Sequence, residues 1–300
     1  MLFYGPPGTG KTSTILAMCR DLYGPELMKT RVLELNASDE RGIAVVRDKV
    51  KHFAMGSVGA SGGGPPFKII ILDEADSLTA DAQAALRRTM ETYSRVTRFC
   101  IICNYVSRII DPLASRCSKY RFSPLDAASM RARLNFVCAG EGVVASPETI
   151  DAVLTISNGD MRKAITYLQS SSQLFGTELT PTHVIEVAGA VTDAALKPLL
   201  AASLGGEGAN FDAVRRACQG LLLQGFAMGG ILEKIADAII AHPTLSSKVK
   251  AAALERLALA EKLLVDGADE ELQLVQVAAM LLRGATGLSI PADREKSYFS

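Results

Sequence analysis

Near the start of the sequence, Gly5-Pro6-Pro7-Gly8-Thr9-Gly10-Lys11-Thr12 sets glycines, a lysine and a hydroxyl at every fixed position of the phosphate-binding pattern G-x-x-x-x-G-K-[ST]. Glycines let a backbone curl until successive N–H groups converge on phosphate oxygens, and a helix beginning at the end of the loop adds partial positive charge. In such a loop Lys11 reaches the β- and γ-phosphates of a nucleoside triphosphate and the Thr12 hydroxyl ligates Mg²⁺. A Gly/Pro turn with a chance lysine would look the same, so the weight falls on what accompanies it. Ile69-Ile70-Ile71-Leu72 runs straight into Asp73-Glu74. An acidic pair at the end of a buried strand supplies a magnesium-positioning carboxylate, Asp73, and a base that polarises an attacking water, Glu74. A strand that merely ends in a solvated acidic turn, Asp73-Glu74-Ala75-Asp76, is the plainer alternative. The complete phosphate loop upstream weighs against it.

Three further residues carry weaker signals. Asn104 closes the next buried strand, which puts it beside Glu74 at the same sheet edge. A neutral amide there can hydrogen-bond a γ-phosphate oxygen or the attacking water; asparagine is equally a strand-ending turn residue, and the sequence leaves both open. Gly159-Asp160-Met161-Arg162-Lys163 reads as a helix start with Asp160 as N-cap, placing two cations in the first turn, where the helix dipole disfavours them. An Arg162 aimed at a nucleotide phosphate accounts for that placement, and a salt bridge to Asp160 or elsewhere is the alternative. Arg116, in Ser115-Arg116-Cys117, has no local sign of chemistry.

The elements that must position these residues alternate strand and helix. Met1-Leu2-Phe3-Tyr4 reads as a buried strand feeding the loop, with helix after it. Strands follow at 31–35, 67–72, 99–103 and 120–122, with a helix that turns Val46, Val50 and Phe53 inward and another over about 81–93. Residues 56–66 hold five glycines and two prolines and read as a mobile loop. Parallel strands with crossover helices and ligand groups at the strand carboxyl ends predict a doubly wound α/β domain over residues 1–125. From 126 onward the signal is helical, with Leu254, Leu257, Ala258 and Leu264 as one apolar stripe and Leu272, Val275, Ala279 and Leu282 as another. The last ten residues read as a frayed tail.

Composition excludes several classes. The 300 residues are 48% hydrophobic, yet no stretch reads as a membrane span: the most apolar region, 221–240, is interrupted by Gln224, Glu233, Lys234 and Asp237. No basic-then-apolar signal peptide opens the sequence. The six cysteines are scattered as buried thiols are in a reducing compartment. Cys100 and Cys103 fall on opposite faces of one strand with no second pair to complete a zinc site, so no metal beyond Mg²⁺ is expected. Net charge is zero, but residues 1–125 carry 17 basic against 12 acidic residues, a weak sign of nucleotide or nucleic-acid contact.

The phosphate loop, Leu35-Asn36-Ala37-Ser38-Asp39-Glu40-Arg41-Gly42, Leu72-Asp73-Glu74-Ala75-Asp76, Ala85-Leu86-Arg87-Arg88-Thr89-Met90-Glu91, Cys103-Asn104-Tyr105, Ser115-Arg116-Cys117 and Gly159-Asp160-Met161-Arg162 together resemble the small subunits of replication factor C, AAA+ ATPases of the sliding-clamp loader. The stretches 99–117 and 266–270 look most like the eukaryotic subunit-four branch. The resemblance implies an AAA+ ATPase domain over 1–125, an all-α lid over 126–190 and an all-α collar over 191–290 that joins a heteropentameric ring, with 291–300 as tail. It makes Asn104 the first sensor, Arg162 the lid sensor, and Arg116 an arginine finger acting in trans on ATP in the neighbouring subunit. It assigns Arg41, Arg47, Lys51, Gln83 and Arg87 to the phosphate backbone of primer–template DNA. Two ordinary solvated helix faces are the alternative reading of that set. The implied partners are the other replication factor C subunits and a sliding clamp of the proliferating cell nuclear antigen type, met in part by the start of the 81–93 helix. The implied location is the nucleus. Members of the family carry a further N-terminal segment, with a Glu-Lys-Tyr-Arg-Pro-like box packed around the adenine; this sequence starts inside the strand that follows it. Two rival functions remain in view, a nucleotide-binding scaffold subunit with little hydrolysis and another AAA+ DNA-remodelling machine.

Overall fold

A computed structural model describes residues 1–38, 43–56, 64–204 and 209–287, and the side chains at 43–48 are outside that description. The chain divides into two compact units, Met1–Leu179 and Thr180–Ser300.

In the first unit the apolar runs form β1 (Leu2–Tyr4), β2 (Val32–Asn36), β3 (Lys68–Asp73), β4 (Thr97–Cys103) and β5 (Lys119–Arg121). They make one sheet in the order β2-β3-β4-β1-β5, every pair parallel. Runs of continuous apolar residues arise because both faces are covered. On one face α1 (Lys11–Arg31) packs Ile15, Cys19 and Tyr23 against Phe3, Ile71, Cys100 and Ile102. On the other, α2 (Ile43–Met55) and α3 (Ala80–Tyr93) bring Val50, Ala54 and Leu86 against Leu2, Ile70, Phe99, Ile101 and Cys103. Cys100 and Cys103 therefore face opposite ways, and burial pushes their thiols up to about 12 and about 11. All six cysteines are free. Because Tyr4 pairs with Cys103 and Leu72 with Ile101, the phosphate loop, Asp73 and Asn104 leave the sheet at one edge. The topology thus assembles the site from three strands distant in sequence.

After α4 (Asp111–Ala114), the unit continues as α5 (Ala127–Glu141), α6 (Pro147–Ser157) and α7 (Met161–Phe175). Asp126, Ser146 and Asp160 cap these three longer helices through their side chains. A two-residue parallel pair, β6 (Val144–Ala145) and β7 (Glu178–Leu179), joins the ends of this segment and has no counterpart among the strands expected from the sequence.

Among the described residues the elements of the second unit are all helices: α8 (Pro181–Ala188), α9 (Asp193–Ser203), α10 (Phe211–Leu222), α11 (Met228–Ala241), α12 (Ser247–Val265) and α13 (Glu270–Ala285). Residues 126–179 of the expected lid thus lie in the first unit and 180–190 in the second. Two expected stripes hold in part: Leu257 is buried and Leu254, Leu264, Val275 and Leu282 pack partly buried against the same core, but Ala258 and Leu272 need correction. The buried face of α12 is Ala253, Leu257 and Ala260, with Ala258 exposed. That of α13 is Leu274, Val277, Ala278 and Leu281, while Leu272 is 62% exposed. Apolar residues cover more than half of each helix, so periodicity alone does not centre the buried face. A hydrogen bond from Arg256 to the buried Gln273, at 3.0 Å, holds the observed rotation. No described helix is long and apolar enough to cross a membrane.

Candidate nucleotide site

The loop between β1 and α1 is shaped by close approaches that only glycine permits. At Gly5, φ 143°, a Cβ would meet the Phe122 carbonyl oxygen at 2.1 Å. At Gly8, φ 69°, it would meet Asp160 Oδ1 at 1.7 Å. That carboxylate cannot easily give way, because Oδ1 already accepts the backbone N–H groups of Arg162 and Lys163 at 2.9 and 3.1 Å. Met161 N–H in turn donates to the Gly8 carbonyl at 3.2 Å, so the first turn of α7 is hydrogen-bonded to the phosphate loop at the same residue that Asp160 packs against. Gly8→Ala is accordingly expected to cost about 1–2 kcal/mol for the left-handed backbone alone. It should also lower ATP affinity at least about ten-fold by displacing α7, as an equilibrium titration with a fluorescent ATP analogue would report.

Lys11 is only 7% exposed and donates to Gly5 O and Pro6 O, each at 2.8 Å, and to Asn104 Oδ1 at 3.0 Å. Burial lowers its pKa, and the Asp73 carboxylate opposes that shift. Thr12 Oγ1 donates to Asp73 Oδ2 at 2.6 Å. A hydroxyl from α1 touching a carboxylate from β3 is the hard-oxygen pair that suits Mg²⁺, which keeps several waters and takes other ligands from phosphate. Among the described residues no group of three or more His, Cys, Asp or Glu could hold a metal ion.

Glu74 has φ 53° and ψ 37°, and with Asn158 it makes the pair of non-glycine residues at positive φ among those described. This conformation costs roughly 1–2 kcal/mol for a residue with a Cβ. It persists because Glu74 N–H donates to Asp73 Oδ1 at 2.8 Å, while Ser77 N–H and Oγ bond the Glu74 carbonyl at 2.9 and 2.7 Å. The turn leaves the Glu74 side chain exposed at the mouth of the cleft. Strain held in this way at a strand end is the pattern of a functional position. Asn104 is fastened from behind: Asp76 Oδ2 accepts the N–H groups of Asn104 and Tyr105, both at 3.2 Å. In the sequence Asp76 is only part of an acidic turn.

Lys11, Thr12, Asp73, Glu74, Asn104 and Arg162 line one cleft of about 600 Å³. Arg162 is exposed there and makes no ion pair among the described residues; Asp160 binds its backbone, not its guanidinium. Ser129 and Arg133, one turn apart on α5, and the apolar Leu125 and Ile165 complete the cleft. Sequence reading missed them, and their only signal was the i, i+4 spacing after the Asp126 cap.

The residues assigned to DNA fare differently. Arg41 lies outside the described residues, as does the Arg47 side chain, whereas Lys51 is exposed on α2. Gln83 requires correction. It is 1% exposed, its Nε2 donates to Leu78 O at 3.1 Å and Arg108 O at 3.0 Å, and its Oε1 accepts Ile110 N–H at 2.8 Å. With its polar atoms spent bracing α3 against the turn before α4, it has nothing to offer a phosphate backbone. Arg87 is partly buried with Nε 3.9 Å from Glu91. Arg116 lies just past α4 and outside the cleft, its Nε 2.7 Å from Glu91 Oε1.

Comparison with known proteins converges on one family. Residues 1–125 match the ATPase family associated with various cellular activities (AAA), and residues 191–280 match the replication factor C C-terminal domain. Replication factor C subunit 2 of Oryza sativa is 52% identical over 287 residues, covering 94% of this chain and 84% of that one. Subunit 2 of Schizosaccharomyces pombe is 53% identical, covering 94% and 83%, and subunit 4 of Homo sapiens is 50% identical, covering 94% and 78%. At about half identity over most of the chain, and with both family models matched, the chain belongs to the replication factor C small-subunit family, the AAA ATPase subunits of the clamp loader.

Proposed function

We propose that this chain itself binds and hydrolyses ATP within a heteropentameric loader, and that its turnover drives opening and release of a sliding clamp on primer–template DNA in the nucleus. The observation that carries the proposal is the Thr12–Asp73 contact of 2.6 Å with the strained Glu74 next to it and Lys11 bonded to Asn104 in the same cleft. A scaffold subunit that only holds nucleotide has no need of a base kept in a costly backbone conformation.

Each residue then has a definite task. Backbone N–H groups of the loop and the Lys11 ammonium bind the phosphates, and Thr12 and Asp73 hold Mg²⁺. The metal, when bound, neutralises charge that builds on the phosphate oxygens. Glu74 accepts the proton of the attacking water on a carboxylate oxygen, and Asn104 orients that water or a γ-phosphate oxygen through its amide. Arg162 brings a cation from α7 to the same phosphates, so closing the lid segment and completing the site become one event. Arg116 lies outside its own cleft and completes the site of the neighbouring subunit.

Arg116→Ala in the reconstituted complex is expected to slow the neighbouring site by about a thousand-fold while leaving ATP binding and turnover at this chain's own site largely intact, the scale known for arginine fingers. Loss at its own site with the neighbour unaffected would refute action in trans. Copurification with four related subunits and a clamp, as opposed to a homohexamer, separates the loader from other AAA+ machines.

A further inference from the structure

Glu91 stands in the last turn of α3 with one oxygen shared between two arginines. Its Oε1 is 2.7 Å from Arg116 Nε and 3.9 Å from Arg87 Nε. Arg116 is also held at its other side, where NH1 donates to the Pro112 carbonyl at 2.6 Å. Its third nitrogen, NH2, has no partner among the described residues, and the side chain keeps 43% exposure. Arg87 Nε is buried, faces the same carboxylate beyond hydrogen-bond distance, and has no hydrogen-bond partner among the described residues.

A half-exposed pair of this kind adds little to stability, since solvent screens it and two long side chains must be ordered. What it changes is the freedom of one of them. An unheld surface arginine populates many rotamers, and each productive encounter must select one. Glu91 and Pro112 between them hold the guanidinium at Nε and NH1 and leave NH2 free to meet an anion. Arg87 adds a second cation 3.9 Å from the same oxygen, so the carboxylate that restrains Arg116 lies in a locally positive setting on α3.

We propose that Glu91 is a positioning residue for Arg116, holding its guanidinium ready for a phosphate in the neighbouring subunit. The proposal rests on Arg116 acting in trans. It makes Glu91 matter to turnover at a site that belongs to another chain.

The test uses the reconstituted complex with this chain's own site silenced by Glu74→Gln. The turnover that depends on Arg116 is then read as the difference between complexes with Arg116 and with Arg116→Ala. Glu91→Ala is expected to lower that kcat by about three- to ten-fold with KM for ATP unchanged, the scale of freezing one long side chain. Glu91→Asp should restore part of the loss. In the Arg116→Ala background Glu91→Ala should add nothing, because both changes remove the same interaction. Unchanged or raised kcat in Glu91→Ala, or a further loss of similar size on top of Arg116→Ala, would overturn the proposal. Arg116→Ala without effect on that turnover would refute the action in trans, and the positioning role with it.

Discussion

Replacing Lys11 by alanine is expected to weaken ATP binding by about ten- to a hundred-fold, the worth of a charge-assisted contact to phosphate. The ammonium sits in a slot of backbone carbonyls, 2.8 Å from Gly5 O and Pro6 O, and touches Asn104 at 3.0 Å. Its removal should therefore do two things: delete the cation proposed to meet the phosphates and release the Asn104 amide from its place. Burial already disfavours the charged form, and the Asp73 carboxylate offsets that cost. Arginine is no substitute, since a planar guanidinium is larger than the ammonium it would replace in a slot that leaves Lys11 only 7% exposed. Titration of the purified chain with a fluorescent ATP analogue measures the loss, and wild-type affinity in Lys11→Ala would remove the phosphate loop from the account.

Glu74→Gln separates binding from chemistry. The amide keeps the size of the carboxylate and loses its basicity, so turnover at this site should fall by about 10²- to 10⁴-fold, the usual contribution of a positioned general base. ATP affinity should stay level or rise, because a negative charge is removed from the cleft proposed for the phosphates. The backbone supplies a second readout. Glutamine at φ 53° carries the same left-handed strain as glutamate, whereas Glu74→Gly relieves it. The glycine variant should therefore be more stable than Glu74→Ala by about 1 kcal/mol while being just as inactive. Paired urea melts check this, and a glycine variant less stable than the alanine one would mean that the turn is not strained.

The site was legible wherever chemistry sits at the end of an apolar run. Leu72 leads into Asp73-Glu74 and Cys103 into Asn104, and in a parallel sheet covered on both faces those ends must meet at one edge. Arg162 was legible through a broken local rule, two cations in a first turn, and the structure places it on the cleft. Residues whose meaning depends on a distant partner were not legible. Asp76 looks like any acidic turn until Asn104 and Tyr105 donate to it, and Gly8 looks like any loop glycine until Asp160 is found against it. Gln83 departs from the role the resemblance implied because placing a helix beside DNA does not say which of its side chains meet solvent, and this one is buried. The same ambiguity displaced the buried faces of α12 and α13, where apolar residues surround most of the helix. The pair β6 and β7 is too short to leave any alternation in the sequence.

The central claim is that this chain turns over ATP with its own base, and one measurement addresses it directly. In a reconstituted complex in which the carboxylate corresponding to Glu74 is neutralised in every other subunit, steady-state ATP hydrolysis is followed with this chain either intact or carrying Glu74→Gln. Turnover that persists with the intact chain and disappears with the Glu74→Gln chain is the predicted result. Equal turnover in the two complexes, at background level, would contradict the claim and leave this chain as a subunit that only holds nucleotide.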